Sequence, residues 1–222
     1  MLGREHALSG LAAGLAVAGL GLHLHTGPLL ALAAGTGAFA TVPDMDTLHS
    51  CAARSLGFLS EAFALLIEKL SGGHRHATHS LLGVAVFTLD AQIACYYRHD
   101  PGGRIGLGLV LAIALAAGLS ALHVHRNLAD LLALPAAAAI AVTGWNLELV
   151  PLACGLGCLT HITGDMLTTE GCPLAWPVTL KHYRLLPGPL DFTTGTWRET
   201  WVVFPSLLGA IGLLGYLAVT TH

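Results

Sequence analysis

Seven apolar runs, at 7–22, 28–43, 80–97, 105–122, 127–145, 149–167 and 201–219, fill most of the 222 residues and leave little room for charge. Several of these runs fall a little short of the roughly 20 residues that a helix needs to cross a hydrocarbon layer. Inside that layer the backbone must satisfy its own hydrogen bonds, which a helix does within one segment. Only 10% of the residues are charged and 54% are hydrophobic, against roughly 25% charged in an ordinary soluble domain. The expected fold is all-α: a polytopic integral membrane protein of six or seven transmembrane helices, with 1–222 forming one domain. A further helix over 55–70 alternates Leu, Phe and Ile with Ser, Glu and Lys and is expected to lie along the interface. The first run is expected to be retained as a helix and not removed as a signal peptide. Five cysteines without paired spacing make no disulfide framework. The net charge of −3 carries no sign of a nucleic-acid partner, and none is expected.

The most informative polar pair within an apolar run is His161 and Asp165, four residues apart, with Gly171 placed to end the helix beyond them. That spacing puts imidazole and carboxylate on one helix face. Two readings fit: a shared metal ion, or a buried His-Asp hydrogen bond that orients two helices. Asp44 and Asp46 follow the second run, where carboxylates are costly unless hydrated, paired or metal-bound. The same Pro, Asp, Thr and Ser residues also suit an ordinary turn.

Residues 71–80 read Ser-Gly-Gly-His-Arg-His-Ala-Thr-His-Ser, three histidines and an arginine against the next apolar run. His74, His76 and His79 are of a type that binds metal, and Arg75 can pair with phosphate or carboxylate. His6 and Glu199, each at the start of an apolar run, are further candidate ligands, with interfacial placement and an Arg-Glu pair as their respective alternatives. Asp90 stands mid-run, where a carboxylate is by default a functional candidate. His123 and His125 suit a loop pair as well as ligands, and Cys154 and Cys158 suit packing.

Together, Pro43-Asp44-Met45-Asp46, Gly73-His74-Arg75 with Thr78-His79-Ser80, and His161-x-x-x-Asp165 with Leu167-Thr168 and Gly171 resemble the signature blocks of the LexA-regulated, YdjM-like membrane-bound metal-dependent hydrolases. The resemblance spans roughly residues 6–200. Many members carry histidine where this chain has Thr47, and often glycine where it has His76, which leaves the roles of His49 and His76 open. The resemblance implies a divalent-metal hydrolase and no particular substrate. More distantly, the aspartate, histidine and helical His-x-x-x-Asp set is similar to one metal site of zinc-dependent phospholipase C.

Other classes lack their machinery. No His-Glu-x-x-His occurs, so a zincin-type protease has no metal helix. Lipid phosphatases of the phosphatidic-acid type need an Arg-Pro that this chain lacks. The expected activity is hydrolysis of an ester or phosphoester in a lipid or lipid-linked substrate, using a divalent metal, favoured as Zn2+. Asp46, His79, His161 and Asp165 are the expected core ligands; Asp44, His74, His6 and Glu199 would bind a second ion or orient the first set. Arg75 and Asp165 are the expected catalytic residues. The non-enzymatic alternative is a metal-binding membrane sensor, scaffold or carrier. Seven single crossings would bring all these residues to one face, with Arg4, Arg54, Lys69, Arg75, Arg126, Lys181, Arg184 and Arg198 beside them and only Arg98 and Arg104 opposite. That bias marks the motif face as cytoplasmic, and the family resemblance implies a bacterial inner membrane.

Overall fold

The computed structural model describes residues 1–186, 188 and 190–220. Eight α-helices follow in order: α1 Gly3–Leu15, extended by a π-wound turn Ala16–Gly21; α2 Thr26–Phe39; α3 Phe58–Ser71; α4 Leu81–Tyr96; α5 Pro101–Ala121; α6 Arg126–Thr143; α7 Val150–Met166; and α8 Phe204–Thr220, preceded by a second π-wound turn. Among the described residues there is no strand, only isolated bridges pairing Thr168 with Phe192 and Cys172 with Tyr183.

Local chemistry sets the helix ends. The Ser80 hydroxyl accepts from Gly83 N at 3.1 Å and caps α4. Proline at the first turn starts α5 and α7, where its missing N–H costs nothing. Gly72 and Gly144, both left-handed, end α3 and α6.

Four helical stretches are long and apolar enough to cross a membrane: Pro101–Ala121, Arg126–Thr143, Leu147–Met166 and Glu199–Thr220. The runs at 28–43 and 80–97 form helices of 14 and 16 residues, and the first run is divided between α1 and the π-wound turn. Helix length thus accounts for four of the six or seven expected crossings. α3 covers the stretch expected along the interface. It turns Ser60, Ala64 and Ser71 inward and leaves Phe58, Leu66 and Leu70 exposed.

α2 and α7 form the centre, with α1 against both, α4 against α7, and α5 paired with α6. Lipid offers no hydrophobic drive between helices, so close packing by small residues replaces it. A Cβ on Gly10 would stand 2.7 Å from Ala40 Cβ, and one on Gly14 2.6 Å from Ala33 Cα. On α7, a Cβ on Gly157 would meet Thr36 O at 2.7 Å. These approaches bring the C-terminal end of α2, the start of α1 and the last turns of α7 to one end of the bundle.

Candidate metal centre

Four segments supply the polar groups gathered at that end: the start of α1, the 3-10 turn Val42–Asp46 after α2, the 3-10 turn Ala77–His79 before α4, and the last turns of α7. His161 Nδ1 lies 2.7 Å from the Ala40 carbonyl oxygen, which can only accept, so this nitrogen carries the proton. The His161 Nε2 lone pair is thereby directed inward, as a ligand imidazole requires. His79 has its Nδ1 3.3 Å from Asp46 Oδ2 and 3.0 Å from Thr78 Oγ1. Its Nε2 stands 3.1 Å from His161 Nε2.

Two carboxylate oxygens complete the group. Asp44 Oδ1 is 3.5 Å from His79 Nε2 and 3.6 Å from His161 Nε2; Asp165 Oδ2 is 3.6 Å and 3.7 Å from the same atoms. A tetrahedral ion with bonds of about 2.0–2.1 Å needs ligand atoms about 3.3 Å apart. The five separations, 3.1 to 3.7 Å, bracket that value. Asp165 Oδ2 is buried and meets hydrogen-bond geometry with no donor, although the Arg75 guanidinium stands 3.1 Å from it as an ion pair. Two imidazole nitrogens with a carboxylate oxygen on either side suit a divalent cation once His79 gives up its proton, so the residues present can hold one.

Asp46, expected among the core ligands, points elsewhere. Oδ1 takes His74 Nδ1 at 2.8 Å, and Oδ2 takes the Arg75 backbone N–H at 3.0 Å and the Thr78 hydroxyl. Burial alone would raise its carboxyl, but hydrogen bonds from His74, His79 and Thr78 hold it well below the usual carboxylate range. Burial would raise Asp44 too, but the imidazoles beside it, with the hydrogen bond from His79, hold its carboxyl low. Burial would depress His79, yet the two aspartates push it up to about 9. A proton on His79 occupies, in effect, the place of a cation among these carboxylates.

The remaining expected residues fall around this core. His6 stacks on His161 with centroids 3.7 Å apart, and its Nε2 is 3.2 Å from Asp165 Oδ1, which also pairs with the Met1 amino group. His6, His161 and Asp165 form one group able to share an ion, and Asp44, His74 and His79 another. Glu199 is buried but outside the cluster: its oxygens accept from Leu2 N at 2.7 Å and Gly195 N at 2.6 Å. Arg75 reaches Asp165 Oδ2 at 3.1 Å through Nη2 and Glu170 Oε2 at 2.9 Å through Nη1. His49 pairs with Arg54, while His123 and His125 are exposed where α5 joins α6. Sequence reasoning assigned no role to Thr78, Glu170 or the Ala40 carbonyl. Thr78 lies within a quoted motif and was open to discovery; a backbone carbonyl leaves no signal in sequence.

The fold and the cluster define an all-helical membrane protein with a buried histidine-aspartate group of metal-binding type. Over residues 1–220 the chain matches the family model described as YdjM inner membrane protein. It belongs to that family, as its motifs implied. No curated protein and no solved structure matches the chain.

Proposed function

We propose that the chain is a divalent-metal-dependent hydrolase, with zinc the favoured ion, acting on an ester or phosphoester of a lipid or lipid-linked substrate at the cytoplasmic surface of the inner membrane. The observation that carries this reading is the pair of imidazole nitrogens on His79 and His161, 3.1 Å apart, with one Asp44 and one Asp165 oxygen each 3.5 to 3.7 Å from both. A cation held there supplies Lewis acidity and a water acidified toward a pKa of about 7.

The chain's own groups do the rest. Asp46 orients two imidazoles, His79 inside the cluster and His74 at its mouth. His74 is 47% exposed, so it meets the substrate side and can hand a proton to the leaving oxygen. Arg75 contributes a planar guanidinium against developing negative charge. Asp44, 22% exposed, opens the cluster toward the same mouth. A site at the bundle end suits a molecule whose head group lies at the membrane surface.

Asp44→Asn and Asp165→Asn are expected to lose most bound metal, read by elemental mass spectrometry on purified protein, while still inserting in the membrane. Arg75→Lys is expected to keep the metal and lose turnover, because it keeps the charge without the fork. Full metal content in both Asn variants would sink the reading. Bound metal with no hydrolysis across a panel of lipid esters and phosphoesters would put the sensor in the enzyme's place.

A further inference from the structure

The turn that carries Asp44 and Asp46 has a second face. Its apolar residues Val42, at the start of the turn, and Met45, between the two aspartates, are buried and form part of the wall of a cavity of about 310 Å³. The opposite wall belongs to Leu59 and Phe63 of α3, which among the described residues packs mainly on this turn and leaves a gap toward α4 and α5. Leu59 and Phe63 are also 49% and 45% exposed, so the gap opens sideways among apolar residues. On α5, Gly106 lines the cavity, and a Cβ there would meet no atom within 4 Å.

We infer that this cavity binds the hydrocarbon chain of a lipid whose head group lies at the histidine-aspartate cluster. The volume lies within the roughly 300–1,000 Å³ range of ligand pockets. An apolar wall gives water few partners, and the lateral mouth lets a chain enter from the bilayer without crossing a polar surface. One short turn separates the two sites, so a head group bound on its Asp44 side leaves a chain free to lie on its Met45 side.

The far end of the cavity is different. Asp90, nine residues into α4 from Leu81, lies about 13 Å along that helix. It lines both this cavity and a second crevice of about 360 Å³ that leads to Tyr97 and Asp100. A carboxylate at this junction ends the apolar path, so Asp90 limits the length of chain that fits. The inference rests on the hydrolase reading for the identity of the head group; chain binding itself does not require turnover.

The test uses dodecyl phosphate carrying a diazirine near its chain terminus, irradiated with the full chain in dioleoylphosphatidylcholine nanodiscs, with adducts mapped by peptide mass spectrometry. Adducts are expected on Leu59 and Phe63 and not on the exposed face of α8, and Gly106→Phe is expected to lose them. Asp90→Leu serves as the second variant: labelling by the hexadecyl analogue is expected to rise to the dodecyl level. Adducts spread evenly over all exposed helices, or unchanged by Gly106→Phe with no gain in Asp90→Leu, would overturn the inference. Asp165→Asn is expected to retain the adducts. Adducts without hydrolysis would leave the chain site standing and remove the enzyme, whereas hydrolysis without adducts would do the reverse.

Discussion

Asp44 and Asp46 stand two positions apart on a turn with three residues per revolution, so their side chains leave it about 120° apart. One meets the imidazole lone pairs and the other meets His74, Thr78 and the Arg75 backbone. Exchange of each for asparagine therefore has a different outcome. Asp44→Asn removes a donor atom and abolishes tight metal binding, while Asp46→Asn loosens two imidazoles and costs about 10–100-fold in affinity. Equal losses in a competition titration with a chromogenic chelator would refute the division. His79 adds a pH signature. Its imidazolium is raised from 6.5 to about 9, so without metal it contributes stability that is full below 6.5 and lost as pH rises through about 9. A metal taking Nε2 must displace that proton. Calorimetric metal titrations at pH 7 in two buffers of different ionisation enthalpy should show release of a proton that disappears at pH 10. Buffer-independent heats at pH 7 would remove His79 from the ligand set.

At the scale of the element, the site depends on how closely three helices approach. α1 brings His6, the segment after α2 brings the Ala40 carbonyl and Asp44, and α7 brings His161 and Asp165. Gly14 meets the α2 backbone, and Gly157 faces a carbonyl, so neither neighbour can swing aside as a flexible side chain would. Gly14→Ala is expected to destabilise the protein by about 1–3 kcal/mol, the usual cost of overpacking, and to weaken metal binding with it. Gly209→Ala on α8, where an added Cβ meets nothing within 4 Å, is expected to be neutral or stabilising by helix propensity. Unfolding in detergent, followed by circular dichroism alongside metal content, checks both. Equal stability of the two variants would show that the α1–α2 seam does not hold the site together.

For the whole molecule, the arrangement of ends is what matters. Residues 166–185 are tied to the cluster end of the bundle: Leu185 N donates to Met166 O at 2.8 Å, Leu81 N to Leu174 O at 3.1 Å, and Arg75 Nη1 to Gly171 O at 3.4 Å. Residues 50 and 182 lie in segments flanking the site, whereas 102 and 147 begin α5 and the stretch before α7. Single cysteines at these four positions in a cysteine-free background, labelled in intact cells, test the orientation that the Lys and Arg bias implies. Labelling from outside is expected at 102 and 147 only. Outside labelling at 50 or 182 would reverse the site, and a mixed pattern would rule out an even number of crossings between the motifs.

Much of the architecture was legible in the chain itself. Long apolar runs with few charges leave a membrane-embedded helix as the economical way to satisfy the backbone, and a four-residue interval on α7 brings His161 and Asp165 to one face because helix geometry is regular. A helix in the stretch expected over 55–70 follows from the same periodicity, although it runs from Phe58 to Ser71, and the polar cluster at 74–79 follows from composition. Tertiary structure alone decided which aspartate faces the imidazoles, that Ala40 O fixes the His161 tautomer, that Glu170 meets Arg75, and that an apolar cavity lies behind Met45. Spacing determines side-chain direction only within a regular element. Across turns and between helices, direction depends on the rotation of a few irregular residues and on how nearly small residues let backbones approach, and neither is written in the period of the sequence.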